Sequence, residues 1–242
     1  MVASMRDPIR ADRLLDAADA AGVAAHLEVA ALDVAAPAAA VEATVASIAS
    51  AAGGLDALVN NAGTAFIAPA ERLTDGDWRR TFDTNLFGAM ACIRGVLPHM
   101  RQRACGTIVN ISSINGRVPA EGGAAYTASK FALEGLSETL RLELRSFGIR
   151  VVIVEPGQFS TGMWGVGSRA GDEEPAYNAI CEEWRSLGGA PPPGAGDPAE
   201  IGLLVADILA HPDPALRYPI GPVGGMTAAE LIERHLAGTL SG

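Results

Sequence analysis

Apolar residues recur along this chain in two alternating rhythms. Short, nearly unbroken runs rich in Val, Ile and Leu stand at 26–32, 55–60, 107–111, 150–154 and 217–220. Most lack the polar alternation of a strand with one wet face, so they predict strands buried on both sides, as in parallel sheets. Between them the apolar spacing is helical, at about 10–22, 38–52, 75–103, 124–147, 198–210 and 227–237. Strand and helix in alternation predict an α/β, doubly wound parallel sheet. One domain is expected over 1–242, with no internal repeat. Two helix starts carry their own chemistry. Thr74 with Asp77 predicts a capping box, and Asp197-Pro198 with Glu200 supplies an N-cap, a proline at the first helical position and an acid at the third. The glycine- and proline-rich run 188–196 holds no regular structure and reads as a connection.

Composition narrows the function classes. With 49% hydrophobic and 19% charged residues the chain is not a disordered one. A net charge of −10 supplies no basic face for nucleic acid and no polybasic membrane anchor. The apolar runs are too short to span a bilayer, and the N-terminus lacks the apolar core of a signal peptide. Cys92, Cys105 and Cys181 form no close pair, and the four histidines have no metal-ligand spacing. A cytoplasmic protein without a metal is expected.

Candidate chemistry begins at Tyr126 and Lys130, four apart and therefore on one face of the helix expected at 124–147. An ammonium beside a phenol favours the phenolate, and a phenol so tuned exchanges protons with an alcohol near neutral pH. Ser113 follows the strand ending at Ile111, at the carboxyl edge where open α/β sheets bind ligands. Its hydroxyl would polarise a carbonyl that Tyr126 protonates; the plainer alternative is a turn serine holding a backbone group, a task Ser112 could also do.

Further motifs share the chain in order. Asn60-Asn61-Ala62-Gly63 follows a strand, and Asp83-Thr84-Asn85-Leu86-Phe87-Gly88 lies within a helix. Ile111-Ser112-Ser113, Tyr126-Thr127-Ala128-Ser129-Lys130, and Pro156-Gly157 with Thr161 come next. Together they resemble the signatures of the short-chain dehydrogenase/reductase family, from about residue 2 to 222. The last strand, Arg217 to Pro222, resembles the hydroxysteroid- and retinol-type branch. The resemblance implies a Rossmann-like fold and an oxidoreductase that interconverts a secondary alcohol and a ketone with NAD or NADP. Tyr126 would be the general acid/base, Lys130 would tune it and orient the nicotinamide ribose, Ser113 would hold the substrate oxygen, and Asn85 would complete a proton relay. Asp33 would contact the adenine, Asn60, Ala62 and Gly63 would flank the cofactor, and Pro156, Gly157 and Thr161 would lie at the nicotinamide. Where an NAD-preferring member has an acid, this chain has Ser4 and Met5 followed by Arg6, whose guanidinium suits a 2′-phosphate; NADP is the leaning.

One family feature is not found. Members begin with a strand, a T-G-x-x-x-G-x-G phosphate loop and a helix, whereas Val2 to Pro8 already resembles the end of the second strand. The expectation is a domain lacking its first strand and first helix because the sequence starts downstream of the true start, with dinucleotide binding weak or absent in the chain as it stands. Alternatively the second strand sits beside the fourth, or another chain fills the gap. The run from Thr161 to Gly167 reads as the start of a substrate lid over about 160–196 rather than as a relocated phosphate loop. Met163, Trp164, Tyr177 and Trp184 would give that lid an apolar lining, suiting a hydrophobic alcohol or ketone, or would pack the lid itself. Leu133, Leu136, Leu140 and Leu144 would serve a core or a contact with a second copy in a homodimer or homotetramer. Two rival functions share the same residues: a cofactor-independent acid–base catalyst such as an isomerase, cyclase or dehydratase, and a non-catalytic relic of the fold.

Overall fold

The computed structural model describes residues 1–165, 175–177, 182 and 186–238. In chain order it runs β1 (Val2–Met5), α1 (Asp12–Ala20), β2 (Glu28–Ala31), α2 (Ala38–Ala51), β3 (Ala57–Asn60) and α3 (Asp75–Phe82). A π-helical turn (Asp83–Gly88) then leads into α4 (Ala89–Arg103), followed by β4 (Gly106–Ile111), α5 (Ala124–Leu144) and β5 (Ile149–Pro156). Beyond residue 196 come α6 (Pro198–Ala210), β6 (Arg217–Ile220), a short hairpin of β7 (Pro222–Val223) and β8 (Met226–Thr227), and α7 (Ala228–Leu236).

The strands that carry the site form a four-stranded parallel sheet in the order β3-β4-β5-β6. Every residue of β4 is buried, because helices cover both faces. Alternate side chains leave a strand on opposite sides. Ile108 and Val151 accordingly join one core with α2, α4 and α5, while Val109, Val152 and Val154 join another beneath Ile208 of α6. Leu133, Leu140 and Leu144 are buried, so these three belong to the core rather than to a contact between copies.

The sheet is not continuous among the described residues. β1 pairs in parallel with β2 alone, and no ladder joins β1 to β3. The second strand has therefore not moved beside the fourth. Val59, on the free edge strand, is 40% exposed. The β1–β2 pair is held instead by the segment after β2, where Leu32, Val34 and Ala36 pack on the core shared by α2 and α4.

The long helix expected at 75–103 is interrupted, and the interruption has a packing cause. A Cβ on Gly88 would stand 2.6 Å from the carbonyl oxygen of Val34, so only glycine lets the helix approach the loop after β2 this closely. The π turn just before it rotates Asn85 inward, where it is 1% exposed. Such single π turns are rare and concentrate at functional sites. Both expected capping boxes are present, at Thr74 with Asp77 and at Asp197 with Glu200. The structure adds a third, Thr227 with Glu230, at the start of α7.

Candidate active site

α5 begins directly beneath the carboxyl ends of β4 and β5, and its first two turns carry the site. Ser129, Lys130 and Glu134 are buried there, and Tyr126 is partly exposed. Ser113, two residues past β4 and still extended, accepts a hydrogen bond from the Asn115 amide at 3.1 Å, opening a one-turn 3₁₀ helix. Its hydroxyl also hydrogen-bonds the Tyr126 phenol. The turn-serine role and the site role thus belong to the same atom. Ser112 is buried without a well-formed partner.

Lys130 Nζ donates to the carbonyl of Ile111 at 2.9 Å and lies 5.6 Å from the centroid of the Tyr126 ring. Burial lowers the lysine pKa to about 8, against the opposing pull of the Glu134 carboxylate. The phenol departs from the expected direction: burial raises its pKa, and the hydrogen bond from Ser113 only opposes that rise. The Tyr126 proton is therefore held, not loosened.

Asn85 is a staple between two elements. Its Oδ1 accepts from the Thr64 amide at 2.8 Å, while Nδ2 donates to Thr64 O and to Ser129 Oγ, both at 2.9 Å. Ser129 Oγ in turn donates to the Tyr126 carbonyl at 2.7 Å. The loop after β3 is thereby tied to the start of α5. A Cβ placed on Gly63 of that loop would stand 3.5 Å from Asn85 Oδ1, 3.5 Å from Met163 Cε and 3.9 Å from Lys130 Nζ. Gly63, Asn85, Lys130 and Met163 therefore border one space.

The remaining expected residues divide. Asn60 Nδ2 donates to Asn110 Oδ1 at 2.9 Å, and Asn110 passes the chain on to Ser137 of α5 at 2.8 Å, so Asn60 serves the sheet. Ala62 is exposed. Pro156 ends β5, and Gly157 must be glycine because a Cβ would stand 2.4 Å from the Pro222 carbonyl. Thr161 is exposed and its hydroxyl accepts weakly from the Met163 amide at 3.4 Å. The Trp164 indole donates to the Phe159 carbonyl at 2.7 Å, which ties Trp164 back to the segment after β5. Tyr177 is half-buried, and Trp184 lies outside the described residues. Away from this cluster, Asp33 Oδ1 accepts from the Ala35 amide at 3.0 Å, a turn-forming contact. Exposed Arg6 lines a shallow cavity of about 300 Å³ with Met5, Asp7 and Arg10.

Sequence reasoning misses a group of charges behind the site. Glu155, 1% exposed, receives Arg117 and Arg217, each at 3.1 Å, and Arg217 also meets Glu134 at 3.1 Å and Glu138. The available signal is Glu134 itself, one turn past Lys130 on the same helical face. Among the described residues no cluster suited to a metal ion occurs, and no helix is long and apolar enough to cross a membrane.

A parallel sheet gathers a tyrosine, a serine and a buried lysine at its carboxyl edge, an arrangement of the open α/β class. Comparison with known proteins makes the class specific. The short chain dehydrogenase family model matches residues 1–170. The chain is 34% identical over 226 residues to the uncharacterized oxidoreductase YusZ of Bacillus subtilis, covering 91% of this chain and 80% of that protein. A short-chain dehydrogenase structure from Streptomyces avermitilis superposes with a TM-score of 0.82 at 34% identity, covering 98% of this chain and 83% of that one. The closed form of a serine dehydrogenase complexed with NADP⁺ gives 0.74 at 29% identity, covering 91% and 84%. The chain belongs to the short-chain dehydrogenase/reductase family, and it is an oxidoreductase of that class.

Proposed function

We propose that the protein reduces a hydrophobic ketone to a secondary alcohol with NADPH, Tyr126 giving the proton. The observation that carries this reading is the convergence of Ser113 on the Tyr126 hydroxyl with Lys130 one turn away. The residues present suit the nicotinamide and ribose end of a dinucleotide. Ile111 O takes one of the three donors of the Lys130 ammonium, leaving two for ribose hydroxyls, and Gly63 keeps the adjoining space open. Thr161 and Gly157, at the carboxyl end of β5, would flank the nicotinamide. At the other end Arg6 and Arg10 line a cavity suited to a 2′-phosphate, which favours NADP over NAD, as does the NADP⁺-bound neighbour. When bound, the nicotinamide supplies the hydride; the protein supplies position and field.

Ser113 would hold the substrate oxygen while Tyr126 donates to it. Burial keeps the phenol in its donating form, so the carbonyl-reducing direction is the one this protonation state serves. Met163 at the rim of the site supplies apolar contact, whereas Trp164 serves the lid. Neither rival reading, a cofactor-independent catalyst or a relic, gains support from the comparisons.

The test is fluorescence titration with NADPH and NADH, followed by turnover on a panel of long-chain and ring ketones. Tighter binding of NADPH and ketone-dependent oxidation of it are expected. Turnover should fall as pH rises through about 8, because Lys130 loses its proton there while the phenol keeps its own. Absence of both binding and turnover would overturn the reading. Assembly follows from the outer face of α5, where Phe131 and Leu142, eleven residues and three helical turns apart, are both exposed. A homo-oligomer is expected, and light scattering that finds only monomer at micromolar concentration would refute it.

A further inference from the structure

Lys130 is the sole lysine of the chain; each of the other basic residues counted with it is arginine. It is 3% exposed, and its charged surroundings are well defined. On its own helix stand Tyr126 and Glu134. From the turn after β4 come Ser113 and Arg117, from β5 Glu155, from β6 Arg217, and from the π turn the neutral Asn85. Behind it Arg117 and Arg217 pair with three carboxylates, Glu134, Glu138 and Glu155, and with Lys130 the charges number three of each sign.

Within this balanced group the carboxylates have different reach. Glu155 and Glu138 are bound to the guanidinium groups, and Glu138 is largely solvated. Glu134 uses Oε2 on Arg217, while its buried Oε1 is on the side of Ser112, whose hydroxyl favours the charged carboxylate. That oxygen and Ser112 Oγ lie beside Gly116: a Cβ there would stand 3.2 Å and 2.7 Å from them. Burial raises the Glu134 pKa, as does Glu155, while Ser112 and Arg217 act to keep the carboxylate charged. Its position four residues past Lys130 puts the two side chains on neighbouring turns of one helical face.

We propose that Glu134 is a positioning residue of this site: anchored by Arg217, its carboxylate is the counter-charge that keeps the Lys130 ammonium charged beneath the cofactor space. Without it the ammonium would lose its one acidic neighbour on the same helical face, in buried surroundings that already disfavour a cation. Arg217, 83 residues further along the chain, thereby links the last strand of the sheet to the acid–base centre. The inference rests on the proposed reduction only for its catalytic consequence, because the state of Lys130 is measurable without turnover.

A single lysine makes that measurement direct. Protein labelled with ¹³C at lysine Cε gives one protein resonance, whose shift is followed against pH by NMR. The wild type should titrate near pH 8. Glu134→Gln should titrate at least one pH unit lower, a tenfold loss of proton affinity. Glu134→Asp, which retains the charge, should stay closer to wild type than the amide variant does. Glu138→Gln, which removes a carboxylate from Arg217 on its solvated side, should leave the midpoint in place. If Glu134→Gln does not fold, Glu134→Met matches its volume without a second amide to satisfy and carries the same expectation. A midpoint unchanged in the neutral variant, or shifted equally by Glu138→Gln, would overturn the proposal. Where turnover is present, its alkaline limb should move down with the lysine midpoint. A shifted lysine in a protein with no turnover at all would count against the reduction and not against Glu134.

Discussion

Tyr126→Phe should lower ketone reduction by about 10²- to 10⁴-fold, the range a positioned general acid supplies, while leaving the fold in place. Asn85 spends both ends of its amide on Thr64 and Ser129. Ser113, the remaining hydroxyl, already receives the Asn115 amide, and an alkyl alcohol gives up its proton far less readily than a phenol. Lys130 lies behind the ring, bound to Ile111 O. Phenylalanine therefore removes the donor without exposing a substitute. Stability should change by less than about 1 kcal/mol, since the ring keeps its packing and the hydroxyl that goes is bonded to Ser113 alone. NADPH titration separates binding from chemistry: the variant should bind the dinucleotide nearly as well and fail at turnover. Retention of activity within tenfold would remove Tyr126 from the acid's role.

The sequence is most legible where one interaction dominates. β5 carries an unbroken apolar run from Val151 to Val154 because both its faces are covered there, and β6 lies at 217–220, where the apolar pattern puts it. Signature residues bring Tyr126, Ser113, Asn85 and Lys130 together because their neighbours are set by short loops at the carboxyl ends of strands. Harder to see is the π turn at Asp83–Gly88, since the apolar period on either side of it is that of an unbroken helix. Its cause, the approach of Gly88 to the Val34 carbonyl, lies in a loop more than fifty residues earlier. The charges are hidden for the same reason. Glu134 and Arg217 are 83 residues apart, Arg117 and Glu155 38, and in the sequence each looks like a solvated surface residue. The direction of the Tyr126 shift is illegible because helical spacing reveals the pairing with Lys130 but not the burial of both.

Glu155→Ala should be the most damaging single change outside the site itself, costing about 3 kcal/mol of unfolding free energy. A buried ion pair is weak evidence of net stabilisation, because desolvating both charges offsets much of their attraction. Removing one member is a different matter, since the partners stay behind unpaired. Here one carboxylate, 1% exposed, serves two guanidinium groups that are about a quarter exposed, so water can reach them only in part. That partial access is why the expected cost lies at the lower end of the range for a broken buried pair. For a chain of 242 residues a loss of this size lowers the melting temperature by roughly 6–12 °C. The damage should also reach function. Arg117 closes the turn that presents Ser113, and Arg217 anchors Glu134, so both would loosen at once. Urea unfolding followed by circular dichroism measures the first effect and the lysine titration the second. A cost below about 1 kcal/mol would mean that the two arginines find water or other carboxylates easily. The charges behind the site would then be a solvated surface feature, and the anchoring of Glu134 would lose its physical basis.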